Sequence, residues 1–521
     1  MTFRLPTWVR EADGRTVPFD ADRISGRLFA ATARLGSPNS FLARELADGV
    51  LHFLSHEDLG ETTTWQIVDD LVAKVVRELG QPELAHAYGQ DEPAEEIQAI
   101  GARDTGVLVS LDPPFPDAMR TARAAYALGA VFGPDLRSAC EEELIALGGL
   151  QAPDRLAAQA ISEIRWNEDS PWETGWRTVR DAAIGIGGRL ILEGTESSLG
   201  SLNEHDLTCF LQGLREGLKS SETACTVNLH QAAPTAPSAA DSLFAPASEL
   251  ALDASAFYRR FFECWRRASF AAFGSLHWHL QEANLAEIPS SFGKRDDADD
   301  LVFVFDRPRR GVSLAAGLAR PSPAILLEAG LRLDRFAAMA GVDRDPTLLL
   351  DKLGSLVRMA VSAAVRKRAY LRKACGSLQR GFMLDRATLH LTPLGLDGAV
   401  QSVLGESLVR SALSLDLACR MADRLREIAA AESRKANLEI VLDSPHELQE
   451  PTCAQVETPL RMRIESWGQV HRRLGHGTAI VASSPEISMA DLIVWTWRKS
   501  DVGRLAFRPL AANQAELIGA D

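Results

Sequence analysis

Val9-Arg10-Glu11-Ala12-Asp13-Gly14-Arg15-Thr16-Val17-Pro18-Phe19-Asp20-Ala21-Asp22-Arg23-Ile24 sets the architecture at the front of this 521-residue chain. Asp13-Gly14 between two short extended runs signals a hairpin, because both turn residues tolerate positive φ. The strands are expected at Trp8 to Arg10 and Arg15 to Phe19. Asp20 or Asp22 then caps a helix carrying Ile24, Leu28 and Phe29, with Gly36 as its stop. Two further helices are expected around Phe41 to Leu54 and Thr64 to Leu79. In the second, Ile67, Leu71, Val72, Val75, Val76 and Leu79 share one face at helical spacing, and Gly80 ends it. A short helix from Pro82 to Tyr88 closes the module.

Beyond it, Asp91 to Gly106 sets five carboxylates against Arg103, with Pro93 and Gly101 interspersed. Such a stretch reads as an exposed connector. The chain therefore divides into a small α+β module at 1–90, an acidic linker at 91–106 and a large domain at 107–521. In the large domain long helical patterns alternate with short β-rich runs: Leu190 to Leu192, Val227 to Leu229, Leu301 to Phe305, Leu438 to Leu442 and Ala479 to Val481. That alternation implies an α/β fold, a barrel or a mostly parallel sheet, with Ala232 to Ala247 as a long excursion. No internal repeat of solenoid period is present.

Composition narrows the function classes. Hydrophobic residues make up 46% and charged residues 24%, ordinary usage for a folded globular chain. The length exceeds the roughly 300 residues at which one core stops growing. A formal net charge of -14 argues against nucleic acid as the main partner, because phosphate neutralisation needs a basic face. Met1 to Trp8 has no apolar signal core, and no later run approaches about eighteen apolar residues, so no membrane is expected and the location is expected to be cytoplasmic. Seven cysteines (Cys140, Cys209, Cys225, Cys264, Cys375, Cys419 and Cys453) include no C-x-x-C pair. They read as reduced thiols.

Several constellations carry potential chemistry. Ile184-Gly185-Ile186-Gly187-Gly188-Arg189-Leu190 is rich in glycine, but the third glycine of a dinucleotide fingerprint falls on Leu190, and tight packing is the better reading. His277-Trp278-His279 sets two imidazoles on one face of a strand, a metal pair only if a carboxylate joins them. His471 and His476 flank Arg472-Arg473-Leu474-Gly475 without a defined partner. Arg307, Arg309 and Arg310 follow a β-run, where α/β folds place sites, and offer an anion site or else a solvated loop. Arg366-Lys367-Arg368 with Arg372-Lys373 reads as the basic last turns of a helix, favourable to its dipole. No H-E-x-x-H, G-x-S-x-G, Walker loop or zinc-finger pattern is present.

The opening run, together with Thr62-Thr63-Thr64-Trp65-Gln66-Ile67 and Leu84-Ala85-His86-Ala87-Tyr88, resembles the ATP-cone, a nucleotide-sensing module of ribonucleotide reductases. The resemblance implies that ATP or dATP lies over the hairpin and first helix, and it assigns to that site Val9, Arg10, Asp13, Gly14, Arg15, Arg23 and Thr64. The family's basic pair before Asp-Gly is replaced here by Glu11 and Ala12, and a carboxylate repels phosphate. Arg10, Arg15 and Arg23 are the cations left to compensate.

The stretch Gly330-Leu331-Arg332-Leu333-Asp334-Arg335-Phe336-Ala337, followed by a buried helix within Asp343 to Leu371, resembles the anaerobic ribonucleotide reductases. These are glycyl-radical enzymes built on a ten-stranded α/β barrel. The resemblance implies a thiyl-forming cysteine on a central loop, a radical-storing glycine near the C-terminus and a closing C-x-x-C zinc module. At the loop the chain reads Asp306-Arg307-Pro308-Arg309-Arg310-Gly311-Val312, and Asp501-Val502-Gly503-Arg504-Leu505-Ala506-Phe507 lacks the glycyl-radical context. The leading expectation is therefore a nucleotide-responsive binding or regulatory protein descended from such a reductase, without reductase activity and without a metal. Its competitors are a radical enzyme using Cys225 and a non-catalytic scaffold. A homo-oligomeric state is left open.

Overall fold

A computed structural model describes residues 5–11, 13–56, 60–89, 116–161, 179, 186–193, 199–200, 202–221, 224–230, 254–268, 274–282, 285, 301–307, 324–339, 345–374, 384–443, 460–483 and 488–509. The expected linker at 91–106 lies outside them, as do Arg309 and Arg310. Two compact units form, Met1–Pro153 with Asp351–Tyr370, and Asp154–Leu350 with Leu371–Asp521.

The first unit begins with a three-stranded sheet of β1 (Trp8–Arg10), β2 (Thr16–Pro18) and β3 (Thr62–Thr64) in the order β2-β1-β3. The hairpin turns where expected: Gly14 takes φ 86, Gly14 N–H donates to the Glu11 carbonyl at 3.0 Å, and Glu11 N–H donates to the Arg15 carbonyl at 2.8 Å. Helices α1 (Ala21–Arg34), α2 (Ser40–Leu54), α3 (Trp65–Glu78) and α4 (Pro82–Gly89) follow. The Asp20 carboxylate accepts the Asp22 N–H at 3.0 Å as the α1 cap, and Gly36 and Gly80 stop α1 and α3 at φ 82 and 83, as only glycine readily does. Val9, Ile24, Leu28, Val50, Val68 and Val72 close the core over the sheet.

The basic run at 366–368, expected as the basic last turns of a helix favourable to its dipole, lies before the last turn of the 346–374 helix, where Arg372 and Lys373 stand. Lys367 is 1% exposed, and Arg366 donates to the Asp135 carboxylate at 2.7 Å. Within the same unit Arg44 bonds Asp22 at 2.8 Å, and Arg358 bonds Asp48 at 2.9 Å through Nε. Arg44 is buried and Arg358 and Arg366 are half-buried, and all three are structural cations spent on carboxylates of their own unit. The unit also holds the short strand β4 (Ile145–Leu147).

Among its described residues the second unit carries ten strands: β5 (Leu156–Ile161), β6 (Ile186–Leu192), β7 (Ala224–His230), β8 (Gly274–Leu280), β9 (Leu301–Phe305), β10 (Ala324–Arg332), β11 (Thr388–Leu394), β12 (Ile440–Leu442), β13 (Thr478–Ser483) and β14 (Arg504–Pro509). Their order is β12-β11-β10-β5-β6-β7-β8-β9-β14-β13. Strands β5 to β9 run parallel in chain order. Strand β10 is antiparallel to β5, and β14 is antiparallel to β9, so the remaining strands run the other way. Arg504 draws the two ends of the path together, donating to Thr478 Oγ1 at 2.9 Å at the start of β13 and to the Asp443 carboxylate just after β12.

Alternation fixes the faces. Cys225, Val227 and Leu229 of β7, Leu276, Trp278 and Leu280 of β8 and Leu301, Phe303 and Phe305 of β9 all join one apolar core with the 204–221 and 254–267 helices. The other parity is the inner face, and in β7 and β8 it carries Thr226, Asn228, His230, Ser275, His277 and His279. Parallel strands covered on both faces ordinarily read apolar throughout, so a buried polar face marks where the sheet does something besides pack. Gly187 and Gly188 lie inside β6, and a Cβ on Gly188 would meet the Ala157 carbonyl oxygen at 2.4 Å, which confirms close packing rather than a phosphate loop.

Candidate functional site

Four consecutive parallel strands of the second unit deliver polar groups to one end of the sheet, their C-terminal end. Glu193 follows β6, His230 ends β7, His279 is next to last in β8 and Asp306 follows β9. All four are buried, Glu193 at 7%, His230 at 7%, His279 at 2% and Asp306 at 8% exposure. The carboxyl ends of parallel strands are where α/β folds place their sites, because successive loops diverge there and leave a crevice.

The groups touch. Glu193 Oε1 stands 2.6 Å from His230 Nε2, and Asn228 donates to the other Glu193 oxygen. Asp306 lies 3.0 Å from His279 Nδ1 through Oδ2, which is also 3.8 Å from His230 Nδ1. The two imidazoles stack with centroids 3.9 Å apart. Donor atoms of His230, His279 and Asp306 all lie within 4.8 Å of one another.

Electrostatics sharpen the roles. Burial works against a charged Glu193, but the hydrogen bond and charge of His230, the charge of His279 and the Asn228 amide outweigh it and hold the carboxyl below its usual range. Burial also opposes ionisation of Asp306, and bonds to His230 and His279 likewise bring it down. His279 moves down from 6.5, because burial and the neighbouring His230 outweigh the pull of Asp306. The site is thus a pair of carboxylates held below their usual range, facing an imidazole whose protonation burial disfavours.

The expected His277–His279 pair takes a different shape. His277 shares the inner face of β8, but its Nε2 lies 3.4 Å from Ser275 Oγ, and the imidazole that meets His279 is His230 from the neighbouring strand. Asp306 is the carboxylate the pair lacked. The signal available in the sequence was parity: each member falls at the end of a β-run, on the face opposite the apolar stripe.

Cys225 sits on the other face. It is 1% exposed among Leu276, Phe261 and other members of the apolar core, and burial pushes its thiol far above the usual range. Against the competing reading of Cys225 as a radical cysteine stands strand parity, which turns it towards the helices and away from the inner face. Arg307 is also committed elsewhere. It donates to the carbonyls of Val502 at 2.6 Å, Ser500 at 2.7 Å and Thr496 at 3.1 Å, closing the end of the 489–499 helix, so the expected anion site loses its first cation.

In the cone, register brings the assigned residues together. Val9 pairs with Thr63 and Arg10 with Thr64 across β1 and β3. Val9 points its side chain into the core at 0% exposure, and Thr64 Oγ1 accepts the Ile67 N–H as the α3 cap. Asp13 and Arg15 pair with each other at 2.5 Å at the exposed hairpin tip. Arg23 lies 4.3 Å over the Trp65 ring and bonds Glu11 at 2.6 Å, while Phe19 stacks on Trp65 at 5.8 Å. The carboxylate that replaces a family cation thus neutralises a remaining one.

Residues 8–89 match the ATP cone domain family. The fold and its inner face define a protein with a cone followed in the chain by a two-directional α/β sheet. The sheet has the fold of anaerobic ribonucleotide reductase. A solved structure described as anaerobic ribonucleotide reductase aligns at TM-score 0.58 and 13% identity over 95% of this chain and 90% of its own. The Thermotoga maritima enzyme with dATP bound in the specificity site aligns at 0.57 and 12% identity over 94% and 92%. The same enzyme with citrate in the active site aligns at 0.56 and 13% over 79% and 93%. No curated protein matches the sequence significantly. Among the described residues no helix is long and apolar enough to cross a membrane.

Proposed function

We propose that this chain is a cytoplasmic, nucleotide-responsive protein on the anaerobic reductase scaffold, whose barrel binds a ligand through imidazole and carboxylate groups instead of reducing ribonucleotides through a thiyl radical. The observation that carries the reading is the inner face itself. Where radical chemistry requires a thiol, the ends of β6 to β9 present Glu193, His230, His279 and Asp306, and Cys225 faces away. The cone supports the regulatory half, with ATP or dATP as effector over the β1–β2 hairpin and α1. The neighbour solved with dATP in its specificity site supports a nucleotide effector on this scaffold.

The test is a titration of ATP and dATP into the purified chain while its melting temperature is followed. A ligand bound only by the folded state raises Tm, by an amount equivalent to about 2.7 kcal/mol at a hundredfold excess over Kd. A flat response to both nucleotides sinks the sensor reading and leaves the scaffold alternative. Production of deoxyribonucleotide by the chain with a radical-generating activase and reductant sinks the non-reductase reading.

A further inference from the structure

We propose that His230, His279 and Asp306 hold a divalent transition-metal ion at the C-terminal ends of β7, β8 and β9. A four-coordinate ion with bonds of about 2.0–2.1 Å places its donors roughly 3.3 Å apart. Asp306 Oδ2 lies 3.0 Å from His279 Nδ1 and 3.8 Å from His230 Nδ1, which brackets that spacing. Two imidazoles and one carboxylate suit zinc or ferrous iron; calcium and magnesium prefer an all-oxygen set. Three protein ligands also leave a coordination position for water or for an oxygen atom of a bound ligand.

The surroundings match what a metal histidine requires. Glu193 Oε1 at 2.6 Å from His230 Nε2 keeps the proton on that nitrogen and presents Nδ1 towards Asp306, the carboxylate–histidine–metal arrangement that orients a ligand from outside. Among the described residues the Asp306 side chain meets imidazoles and no Lys or Arg. Two further buried atoms of the cluster's residues, His279 Nε2 and Asn228 Oδ1, have no hydrogen-bond partner among the described residues. A cation supplies the missing positive charge to a group that is costly to bury without it. Binding through Nδ1 requires neutral His279 to carry its single ring proton on Nε2, with no net release of protons.

A surface competitor must be separated from this site. His52 and His56 lie with ring centroids 4.5 Å apart at one exposed helix end, an i, i+4 pair that also captures metal. The full-length chain, stripped with a chelator, is titrated with Zn²⁺ by calorimetry and with Co²⁺ by visible absorption. One tight ion per chain is expected, with ligand-field bands of low-coordinate Co²⁺ and a raised Tm. His279→Ala and Asp306→Asn each weaken it by about 100-fold, and Glu193→Gln by roughly 10-fold to 100-fold. His56→Ala leaves the tight ion in place. Asp306→Asn preserves size and an acceptor for His279, and its metal-free melting curve confirms a folded chain. The proposal is overturned if the wild type binds no ion, if Asp306→Asn and His279→Ala retain wild-type affinity, or if His56→Ala abolishes the tight ion.

Discussion

Two sets of carboxylates on the inner face of the barrel are neutralised in different ways. Glu328 on β10 meets Arg189 of β6 at 2.6 Å, and Asp443 after β12 meets Arg504 of β14. Glu193 and Asp306 meet imidazoles instead. Guanidinium is permanently charged and forks onto a carboxylate, which suits a fixed joint. Imidazole exchanges protons and metals near neutral pH, which suits chemistry. The arginines stand at seams, Arg189 reaching past β5 to the oppositely directed β10 and Arg504 linking β13 and β14 to the end of β12. The imidazoles stand inside the parallel run, where no seam needs closing.

If the arginine set is structural, breaking it is the costliest change available. Arg504→Met strands the buried Asp443 charge, and about 3–5 kcal/mol of stability is expected to go. Denaturant unfolding followed by tryptophan fluorescence reads this, and a loss under 1 kcal/mol would dissolve the contrast.

Acid probes the same seam without mutation. His390 is buried beside Asp443, and burial lowers its pKa from 6.5 to about 4 despite the pull of Asp443 and Glu328. The unfolded imidazole takes a proton below 6.5 and the folded one resists until about 4, so stability falls as pH drops through that window, by about 3 kcal/mol. Below it Asp443 contributes. Burial raises its pKa but Arg504 overrides this and brings it to about 2 from 3.8, so its stabilisation is present above 3.8 and is lost as pH falls through 2. His390→Gln is expected to flatten the upper part of a stability-against-pH curve, and an unchanged slope would remove His390 from the seam.

Asp306→Asn is the counterpart in the imidazole set. The amide oxygen still accepts from His279, so only about 1–2 kcal/mol is expected to be lost, well below Arg504→Met, while ligand binding at the site collapses. Equal losses in the two variants would make Asp306 another joint and end the distinction.

The fold was more legible than this site. Asp13-Gly14, the Asp20 cap and the Gly36 and Gly80 stops are local signals, and each acts within a few residues of itself. The runs at 190–192, 227–229, 301–305 and 479–481 lie in strands because they are apolar and bounded. The site needed the sheet order, because its hydrogen bonds span 37 residues from Glu193 to His230 and 27 from His279 to Asp306. His230 ends a strand with no second histidine near it in sequence, and Asp306 stood only as the first residue of a loop searched for a cysteine. Arg307 misled for a physical reason: a cation after a strand looks like an anion site until the carbonyls of a helix end some 190 residues later are known to receive it.

The cone repeats the contrast in miniature, at the smallest expected effect. Arg23 is half-buried, held against Glu11 and laid over Trp65, so the positive charge that phosphate needs is already answered by a carboxylate. Glu11→Gln removes that charge while keeping the side chain's length. Fold stability should move little, because a half-exposed pair is worth at most about 1 kcal/mol. The same 1 kcal/mol, redirected from Glu11 to a triphosphate, corresponds to roughly fivefold tighter binding of ATP. Titration of the variant beside the wild type reads the difference as a shift of the midpoint to lower ATP concentration, and the gain should shrink as salt is raised, since screening weakens half-exposed charges first. An unchanged midpoint would mean that Arg23 does not reach the nucleotide, and that Glu11 closes the hairpin against α1 without guarding a phosphate site.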